Sequence, residues 1–437
     1  MNIKKKLLNK EINLAVWGTG YIGLSSMVYF AQKGVICKGF DVDKNKVKKI
    51  NKGELTIPEL KNWFNIDIKR LSKNHLLSAT SNYKNLLSNK YKVHLIAIPT
   101  EKNGKPYFDI LFNILKKLSL IIKKKTKPII IIESTLTPKF TDKFIIPYFK
   151  KLGFKNEDYI LGIAPRRDWF VAKTKTIEKL DRVVGAKNYK EGLLIKNILS
   201  IVCKKIHVSS DYSVSEMVKS IENAYRHMEI TLANQLSLAY PNENMREVLK
   251  LVGTKWNIGT YHPGFGTGGY CIPLSSQYVL REVKDKSKLT LLRETIKTDT
   301  NINILIAKSL IQKGYKKIGV LGLSYKGNLK VDILSPVIPF IRYLKSKNVS
   351  VNLFDPYYSI KEIKQITGVN SFKYPEDLSK FDCIVISIDH KEFKINMKNI
   401  GIHLKNCKYI LDNMRVWEKI KFPKNITYKI PGEKNWL

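Results

Sequence analysis

A glycine-rich turn near the start of the chain constrains the fold more than any other feature. Residues 18–23 have the spacing GxGxxG and directly follow a short apolar segment, 13–17, that is typical of a buried strand. The pattern of residues 24–33 predicts a helix, and that of residues 34–41 a second strand. A strand that passes through a tight turn into a helix and another strand is the repeating unit of a parallel, doubly wound α/β sheet.

The same turn has the composition of a dinucleotide-binding loop. Gly18 permits the tight turn, Gly20 leaves room for a pyrophosphate, and Gly23 lets the helix and the strand pack closely. The N–H groups and the positive dipole at the helix N-terminus favour the phosphates. Asp41, which ends the second predicted strand, can accept hydrogen bonds from a ribose diol and would repel a 2′-phosphate. We therefore expect NAD rather than NADP.

The remainder of the chain predicts a second α/β region after a helical middle. Apolar segments predict strands at 94–98, 128–133, 159–164, 182–185, 316–321, 349–354, 383–388 and 409–411, with a helix at 337–347. We predict two α/β domains joined by a helical part. The expected boundaries are 1–208 for the NAD-binding domain, 209–303 for the central domain and 304–437 for the second α/β domain.

The middle contains one long predicted helix, residues 214–240. An apolar stripe recurs along it at helical spacing, formed by Met217, Ile221, Ala224, Met228, Leu232 and Leu236. The stripe predicts either ordinary core packing or a subunit interface. Lys219 and Asn223 share another face of this helix, and together they could hold a developing oxyanion. The alternative is that both belong to a solvated helix face.

A cysteine stands in a second glycine-rich run. Cys271 follows Gly264, Gly266, Gly268 and Gly269, and the missing side chains would let a small electrophile approach the thiol. Together with a redox cofactor, this cysteine suggests oxidation of an aldehyde-level carbon through a thiohemiacetal and a thioester. The alternative is a buried structural cysteine in a glycine-rich turn.

Composition excludes several classes of protein. The formal net charge of +40 raises the possibility of nucleic-acid binding, but the lysines are spread along the chain without an Arg-rich arm or a zinc-finger spacing. Five scattered cysteines suggest neither a disulfide framework nor a metal site. No apolar run is long enough for a signal peptide or a membrane span. We expect a cytoplasmic protein that binds no nucleic acid.

These motifs, in this order, resemble the nucleotide-sugar 6-dehydrogenases of the UDP-glucose, UDP-N-acetylhexosamine and GDP-mannose group. The resemblance extends over residues 13–417. Its motifs are residues 18–23, Asp41-Val42-Asp43, Pro99-Thr100, Glu133-Ser134-Thr135, residues 181–185, Lys219 with Asn223-Ala224, residues 264–273, residues 322–326, Ser335-Pro336, Asp355-Pro356 and residues 389–393. The Gly-Gly-Tyr-Cys-Ile-Pro run is closer to the acetylhexosamine branch than to the UDP-glucose branch.

The resemblance implies a fold, a reaction and a set of site residues. It implies two Rossmann-like domains bridged by a long helix that forms a homodimer core, and oxidation of a primary alcohol to a carboxylate with two NAD. It implies Cys271 as the nucleophile, Lys219 and Asn223 as its partners, and Thr135 as the residue that positions the catalytic water. The implied NAD contacts are Gly18, Gly20, Tyr21, Ile22, Gly23, Asp41, Lys46, Pro99, Thr100 and Thr135. The implied contacts to the nucleotide-sugar are Lys219, Asn223, Tyr261, Gly264, Gly268 and Lys326.

Three departures from the family pattern place the last step of that reaction in question. Arg166 stands where the family has the glutamate associated with thioester hydrolysis, and Ser275 replaces an aspartate four residues after the cysteine. Ile333 replaces an arginine, with Lys330 and Val331 in place of its acidic neighbours. Fewer carboxylates mean weaker general-base activation of water.

Several interpretations of these departures stay open. Asp168, or Thr135 with an ordered water, could replace the missing base. Arg166 and Arg167 could bind an extra negative charge on an unusual sugar, or they could be surface arginines. The alternatives for the whole chain are an enzyme that stops after a two-electron oxidation, one that uses a different nucleotide-sugar, and a non-catalytic nucleotide-sugar binder.

Overall fold

The apolar segment before the glycine turn lies inside an eight-stranded sheet of the first of two units, Met1–Ile221 and Glu222–Leu437. The computed structural model describes residues 3–57, 60–61, 66–102, 104–168, 176–394 and 397–437. The strands of the first unit are β1 (Asn13–Trp17), β2 (Cys37–Phe40), β3 (Leu77–Thr80), β4 (Tyr91–Ile96), β5 (Glu101–Lys102), β6 (Lys105–Pro106), β7 (Ile129–Ile132), β8 (Ile160–Ile163), β9 (Arg182–Ala186) and β10 (Ile206–Val208).

The sheet order is β10-β9-β8-β7-β4-β1-β2-β3, and every neighbouring pair is parallel except β8 with β9. All residues of β1 and β7 are buried, as expected for parallel strands covered on both faces. The helices are α1 (Ile3–Leu8), α2 (Tyr21–Gln32), α3 (Lys44–Asn51), α4 (Ile68–Lys73), α5 (Asp109–Ser119), α6 (Ile146–Lys151) and α7 (Tyr189–Leu199). The carboxyl ends of β2, β1, β4 and β7 are neighbours, and ligands bind at this edge in open α/β sheets.

The second unit contains a smaller parallel sheet. Its helices are α9 (Met245–Val252), α10 (Cys271–Glu282), α11 (Thr290–Gln312), α12 (Val337–Ser346) and α13 (Ile360–Thr367). Its strands are β11 (Lys317–Leu321), β12 (Ser350–Phe354), β13 (Cys383–Ile386), β14 (Tyr409–Asp412) and β15 (Thr427–Lys429), in the order β12-β11-β13-β14-β15. The two α/β regions and the helical middle are as predicted, and the predicted ends differ from these bounds by at most three residues. The exact three-domain boundaries stay a prediction.

The long helix α8 (Tyr212–Ala239) begins in the first unit and ends in the second. Most of its buried positions are polar, namely Ser215, Glu216, Ser220, Asn223, His227, Thr231, Asn234 and Ser237, and the buried apolar ones are Tyr212, Ala224 and Ala233. From the predicted apolar stripe, Ala224 is buried, whereas Met217 and Leu232 are exposed. Core packing within this chain therefore does not account for the whole stripe. Among the described helices, none combines the length and hydropathy that a bilayer crossing requires.

Candidate active site

The glycine turn has the geometry that the sequence predicts for a dinucleotide loop. Gly18 has a φ of +90°, and a Cβ there would lie 2.4 Å from the Ala97 carbonyl oxygen. A Cβ at Gly23 would lie 1.8 Å from the carbonyl oxygen of Gly18, so the close approach of α2 to the turn requires glycine. At Gly20, in contrast, a Cβ would meet nothing within 4 Å. This open position fits a phosphate group, and its absence of a side chain leaves the N-terminus of α2 without a side-chain cap.

Asp41 holds the turn in place from the end of β2. Its Oδ2 accepts hydrogen bonds from Thr19 N (2.8 Å) and Thr19 Oγ1 (2.7 Å), and its Oδ1 accepts one from Asp43 N (3.0 Å). Partial burial opposes the negative charge, but these hydrogen bonds and the nearby Lys46 outweigh it and lower the pKa of Asp41. The half-buried Oδ1 keeps one acceptor position among the described contacts, which fits a ribose hydroxyl.

Thr100 and Thr135, both predicted as cofactor contacts, are brought together by neighbouring strands. Thr100 Oγ1 donates a hydrogen bond of 2.7 Å to the carbonyl oxygen of Thr135. Ser134 Oγ accepts from Ile98 N at 2.9 Å and donates to Ile98 O at 2.7 Å. The segments after β4 and β7 are thus joined at the carboxyl edge of the sheet. Pro99 is exposed there and Thr135 is half-buried.

Arg166 is buried in a charged cluster of the first unit. Its Nε lies 2.5 Å from Asp168 Oδ2, and its Nη1 lies 3.7 Å from Glu133 Oε2. Nη1 donates to Ser26 Oγ (2.5 Å) and Nη2 donates to Ser25 Oγ (3.1 Å), so the guanidinium is anchored to α2. Burial opposes the charge, but Asp168 and Glu133 outweigh it and raise the pKa of Arg166.

This cluster corrects two expectations for Arg166. With a side chain only 1% exposed, Arg166 is neither a surface arginine nor open to a negative charge on a sugar. The Asp168 side chain is 2% exposed and ion-paired, so it does not replace the missing general base in this conformation. Arg167, which is half-buried, donates from Nη1 to the carbonyl oxygen of Asp181 at 3.1 Å.

Cys271 is the first residue of α10 and is exposed, whereas the other four cysteines are buried. This overturns the alternative of a buried structural cysteine. Gly269, with a φ of +78°, brings the chain against Tyr325, because a Cβ at Gly269 would lie 2.6 Å from Tyr325 Cζ. A Cβ at Gly268 would lie 2.5 Å from Tyr325 Cβ. Gly268 and Gly269 are therefore required by close packing on Tyr325.

Asn223 lies beside Cys271, as predicted, but its amide is already engaged. Nδ2 donates to the carbonyl oxygen of Cys271 (3.1 Å) and to Ser275 Oγ (2.9 Å), which use both of its N–H groups. Ser275 Oγ also donates to the Cys271 carbonyl oxygen at 2.6 Å. In this geometry Asn223 holds the first turn of α10, and binding an oxyanion requires one of these N–H groups to be released. Lys219 is half-buried one turn earlier on α8.

The predicted substrate residues of the second unit surround the same loop. Gly264 N donates to Asn234 Oδ1 at 2.8 Å, and Asn413 Oδ1 lies 2.8 Å from where a Cβ of Gly264 would be. Burial raises the pKa of Tyr261, and a hydrogen bond to Glu229 adds to this effect. Burial lowers the pKa of Lys326, against the opposing effect of Asp389 and of Cys271.

Tyr325 is a site residue that sequence reasoning missed. Its ring packs against Gly268 and Gly269, directly before Cys271, and burial, with a smaller effect of Cys271, raises its pKa. His227 and Asp299 were also missed, although both contact the elements that carry Cys271. A usable signal for His227 was its position four residues after Asn223, on the same helix face.

Comparisons with known proteins agree with this geometry. Three models of the UDP-glucose/GDP-mannose dehydrogenase family match the chain: the NAD binding domain at residues 12–203, the central domain at 213–301 and the UDP binding domain at 319–419. The UDP-N-acetyl-D-mannosamine dehydrogenase of Methanococcus aeolicus is 28% identical, over 99% of this chain and 98% of that protein. The UDP-N-acetyl-D-glucosamine 6-dehydrogenase of Pseudomonas aeruginosa is 26% identical, over 92% of this chain and 98% of that protein.

A solved structure is similar over the whole chain. The UDP-D-ManNAc dehydrogenase from Pyrococcus horikoshii has a TM-score of 0.83 and 26% identity, covering 97% of this chain and 100% of that one. The three family models together span residues 12–419 of this chain with short gaps. The chain therefore belongs to the UDP-glucose/GDP-mannose dehydrogenase family, and it is an NAD-dependent nucleotide-sugar 6-dehydrogenase.

Proposed function

We propose that the protein oxidises the C6 primary alcohol of a UDP-N-acetylhexosamine to a carboxylate, for use as a polysaccharide precursor. The observation that carries the proposal is the exposed Cys271 thiol at the end of a glycine-rich loop. The names of the relatives, which are UDP-ManNAc and UDP-GlcNAc dehydrogenases, support the choice of sugar class.

The residues divide the work as follows. NAD, when bound, accepts one hydride in each of two oxidations. Lys219 stabilises the alkoxide that forms when the C6 alcohol releases its proton to solvent, and loss of a hydride from C6 to NAD then leaves the aldehyde. The Cys271 sulfur then adds to the aldehyde carbon to give a thiohemiacetal, whose oxidation leaves a thioester. Water cleaves the C–S bond to release the carboxylate and the thiol, and Thr135 positions that water.

The proposed cofactor residues bind and orient NAD. The open position at Gly20 and the N-terminus of α2 take the pyrophosphate, and Asp41 accepts from the ribose. Lys46, Tyr21, Ile22, Pro99 and Thr100 complete the proposed NAD contacts. Lys326, Tyr261, Gly264 and Gly268 contact the nucleotide-sugar. Asn223 fixes the first turn of α10 and so orients Cys271.

A second candidate is an enzyme that stops at the aldehyde after a two-electron oxidation. The observation that favours it is the buried ion pair of Arg166 with Asp168, because residue 166 is not a carboxylate and the pair occupies the carboxylate of Asp168. The two candidates differ by one oxygen atom in the product and by one NADH per sugar.

We also propose that the protein is a homodimer through α8. The buried side of this helix is mostly polar, while Met217, Tyr225 and Leu232 are exposed. An exposed apolar face of this kind is typical of a subunit interface. Light scattering on the purified protein checks the oligomeric state, and a monomer at micromolar concentration would contradict the proposal.

The decisive assay supplies NAD with UDP-ManNAc, UDP-GlcNAc, UDP-glucose or GDP-mannose, and follows NADH and product mass. We expect NADH with a UDP-N-acetylhexosamine, at two per sugar for the acid and one for the aldehyde. Cys271→Ser is expected to stop after the first oxidation, because the oxygen nucleophile of serine does not support the thioester route. Unchanged turnover in this variant, or no NADH with any of the four sugars, would refute the proposal.

A further inference from the structure

A buried three-residue bridge lies behind Cys271. His227 Nδ1 forms a hydrogen bond of 2.8 Å with Ser276 Oγ. His227 Nε2 lies 3.1 Å from Asp299 Oδ2, which is an ion-pair distance without the geometry of a hydrogen bond. The exposed fractions of these residues are 1% for His227, 0% for Ser276 and 7% for Asp299. Helices α8, α10 and α11 each contribute one member. Polar groups buried to this degree are retained at a cost in desolvation, so the bridge requires an explanation.

Asp299 extends the bridge to the glycine-rich loop. Its Oδ1 accepts a hydrogen bond from Thr267 N (2.9 Å), and its Oδ2 accepts one from Thr267 Oγ1 (2.6 Å). The neighbouring Gly266 has a φ of +100°, and a Cβ there would lie 3.0 Å from the carbonyl oxygen of Asp299. The backbone of the loop is therefore pressed against α11 where Asp299 holds it.

The bridge joins the chain before the nucleophile to the chain after it. Thr267 precedes Cys271 by four residues, and Ser276 follows it by five. His227 is the link between the two, because it contacts Ser276 directly and reaches Thr267 through Asp299. The link also lies one helical turn after Asn223, which holds the Cys271 carbonyl oxygen.

The order serine, histidine, aspartate is also that of a hydrolytic triad, but the burial excludes this role. The Ser276 hydroxyl is fully buried within α10, so a substrate cannot reach it. What the arrangement can do is restrict the position of a segment whose glycines would otherwise permit many backbone conformations.

We infer that His227 is a positioning residue for Cys271, acting through Ser276 on one side and through Asp299 and Thr267 on the other. The inference deepens the proposed function and rests on Cys271 as the nucleophile. A displacement of about 1 Å at a reacting atom can cost on the order of 100-fold in rate, so a restraint on both sides of the thiol has a direct catalytic consequence.

Two substitutions each keep one half of the bridge. His227→Gln places an amide near the former Nε2, towards Asp299, and loses the contact to Ser276. His227→Asn places an amide near the former Nδ1, towards Ser276, and loses the contact to Asp299. Thr231→Val is the matched control, because Thr231 is buried one turn further along the same helix face and its hydroxyl has no hydrogen-bond partner in the described part of the chain.

Two readouts separate positioning from stability. We expect both half-bridge variants to lower kcat about tenfold or more with KM for NAD within about twofold, since only the reacting geometry changes. We also expect faster amide hydrogen exchange confined to the segment 264–276. Thr231→Val is expected to change neither quantity.

The outcomes are distinguishable from those of the proposed function. If the wild-type protein produces no NADH, the proposed function fails, but exchange of residues 264–276 still tests the bridge. If both half-bridge variants melt earlier yet keep kcat and local exchange, His227 is merely a core residue and the inference is overturned. It is equally overturned if Thr231→Val has the same effect as the two half-bridge variants.

Discussion

The two α/β regions share a strand–turn–helix–strand arrangement, but the acidic residue that follows its second strand differs in solvent access between them. After β1, Gly18 has a φ of +90° and its N–H donates to Phe40 O at 2.8 Å. After β11, Gly322 has a φ of +103° and its N–H donates to Phe354 O, also at 2.8 Å. Asp41 follows β2 and Asp355 follows β12, and each accepts hydrogen bonds from its own turn.

The difference lies in what remains available on each carboxylate. Asp41 is half-buried and keeps an acceptor position. Asp355 is 1% exposed: its Oδ2 accepts from Leu323 N (2.7 Å), Ser324 N (3.2 Å) and His390 Nε2 (3.1 Å), and its Oδ1 accepts from Tyr357 N. His390 Nδ1 accepts from Asn328 N, so the proton on Nε2 points to Asp355. A shared fold therefore leaves the ligand undetermined, and the two acids differ in solvent access, as we expect if Asp41 binds a ribose and Asp355 is a structural anchor.

The largest effect is expected from neutralising Asp355, the buried acid. Asp355→Asn places an amide against the His390 and backbone donors, and breaking such a buried pair costs about 4 kcal/mol. We expect the free energy of unfolding of the second unit to fall by this amount, as measured by denaturant titration with hydrogen exchange, while NAD affinity stays within about twofold because Asp355 is not in the NAD loop. A loss of less than about 1 kcal/mol would show that the closure of Asp355 is not structural.

Glu216 provides the next contrast, because its buried carboxylate is shifted in the opposite direction to that of Asp355. Burial raises the pKa of Glu216 from 4.5 to about 7, despite hydrogen bonds from Thr141 and Phe140. Its contribution to stability is present below pH 4.5 and is lost as the pH rises to about 7, by about 3 kcal/mol. The pKa of Asp355 is lowered, since His390 and backbone N–H groups outweigh the effect of burial, so its contribution is lost only as the pH falls below about 3.8.

We therefore expect Glu216→Gln to flatten the decline in stability between pH 4.5 and pH 7. The free energy of unfolding is measured across this range for both proteins. Parallel curves for the variant and the wild type would mean that Glu216 titrates as it does in the unfolded chain.

Two glycine substitutions in the turn after β1 distinguish an effect on stability from an effect on NAD binding. Gly23→Ala introduces a Cβ 1.8 Å from the Gly18 carbonyl oxygen, and overpacking of this kind costs about 2 kcal/mol. Gly20→Ala meets nothing within 4 Å, so we expect unchanged stability but weaker NAD binding. Thermal melting and NAD titration of both variants check the pair. Unchanged NAD affinity in Gly20→Ala would contradict the proposal that Gly20 lies at the ligand.

The smallest effect is expected from neutralising Asp41, the partly exposed acid. Asp41→Asn keeps the size of the side chain but removes its charge, and we expect NAD affinity to fall about tenfold, equivalent to ~1.4 kcal/mol. The cost in stability should be below that of Asp355→Asn, because Asp41 is half-exposed. An unchanged dissociation constant for NAD would remove Asp41 from the binding site.

The sequence was sufficient where the chemistry is local. The GxGxxG spacing and Asp41 lie within 24 residues, and their geometry follows from adjacent strands and one turn. The accessibility of Cys271 was also predicted, because the glycines that precede it are its own neighbours in the chain.

Features that join distant segments were not predictable in the same way. The orientation of Arg166 depends on Ser26, which is 140 residues away, and on Glu133 after another strand. The bridge at His227 depends on Ser276 and Asp299, and neither spacing has a local signature. The apolar stripe of α8 could be read from the sequence, but its members are partly exposed, because periodicity alone does not specify which side of a helix faces the core.

The number of NAD molecules bound per chain tests the comparison most directly. Calorimetric titration of the wild-type protein with NAD, in the absence of any sugar, measures this number. Because Asp41 keeps an acceptor position and the buried Asp355 does not, the expected result is one NAD per chain, with no second site. Two sites per chain, or none, would contradict the conclusion that only the first α/β region binds the dinucleotide.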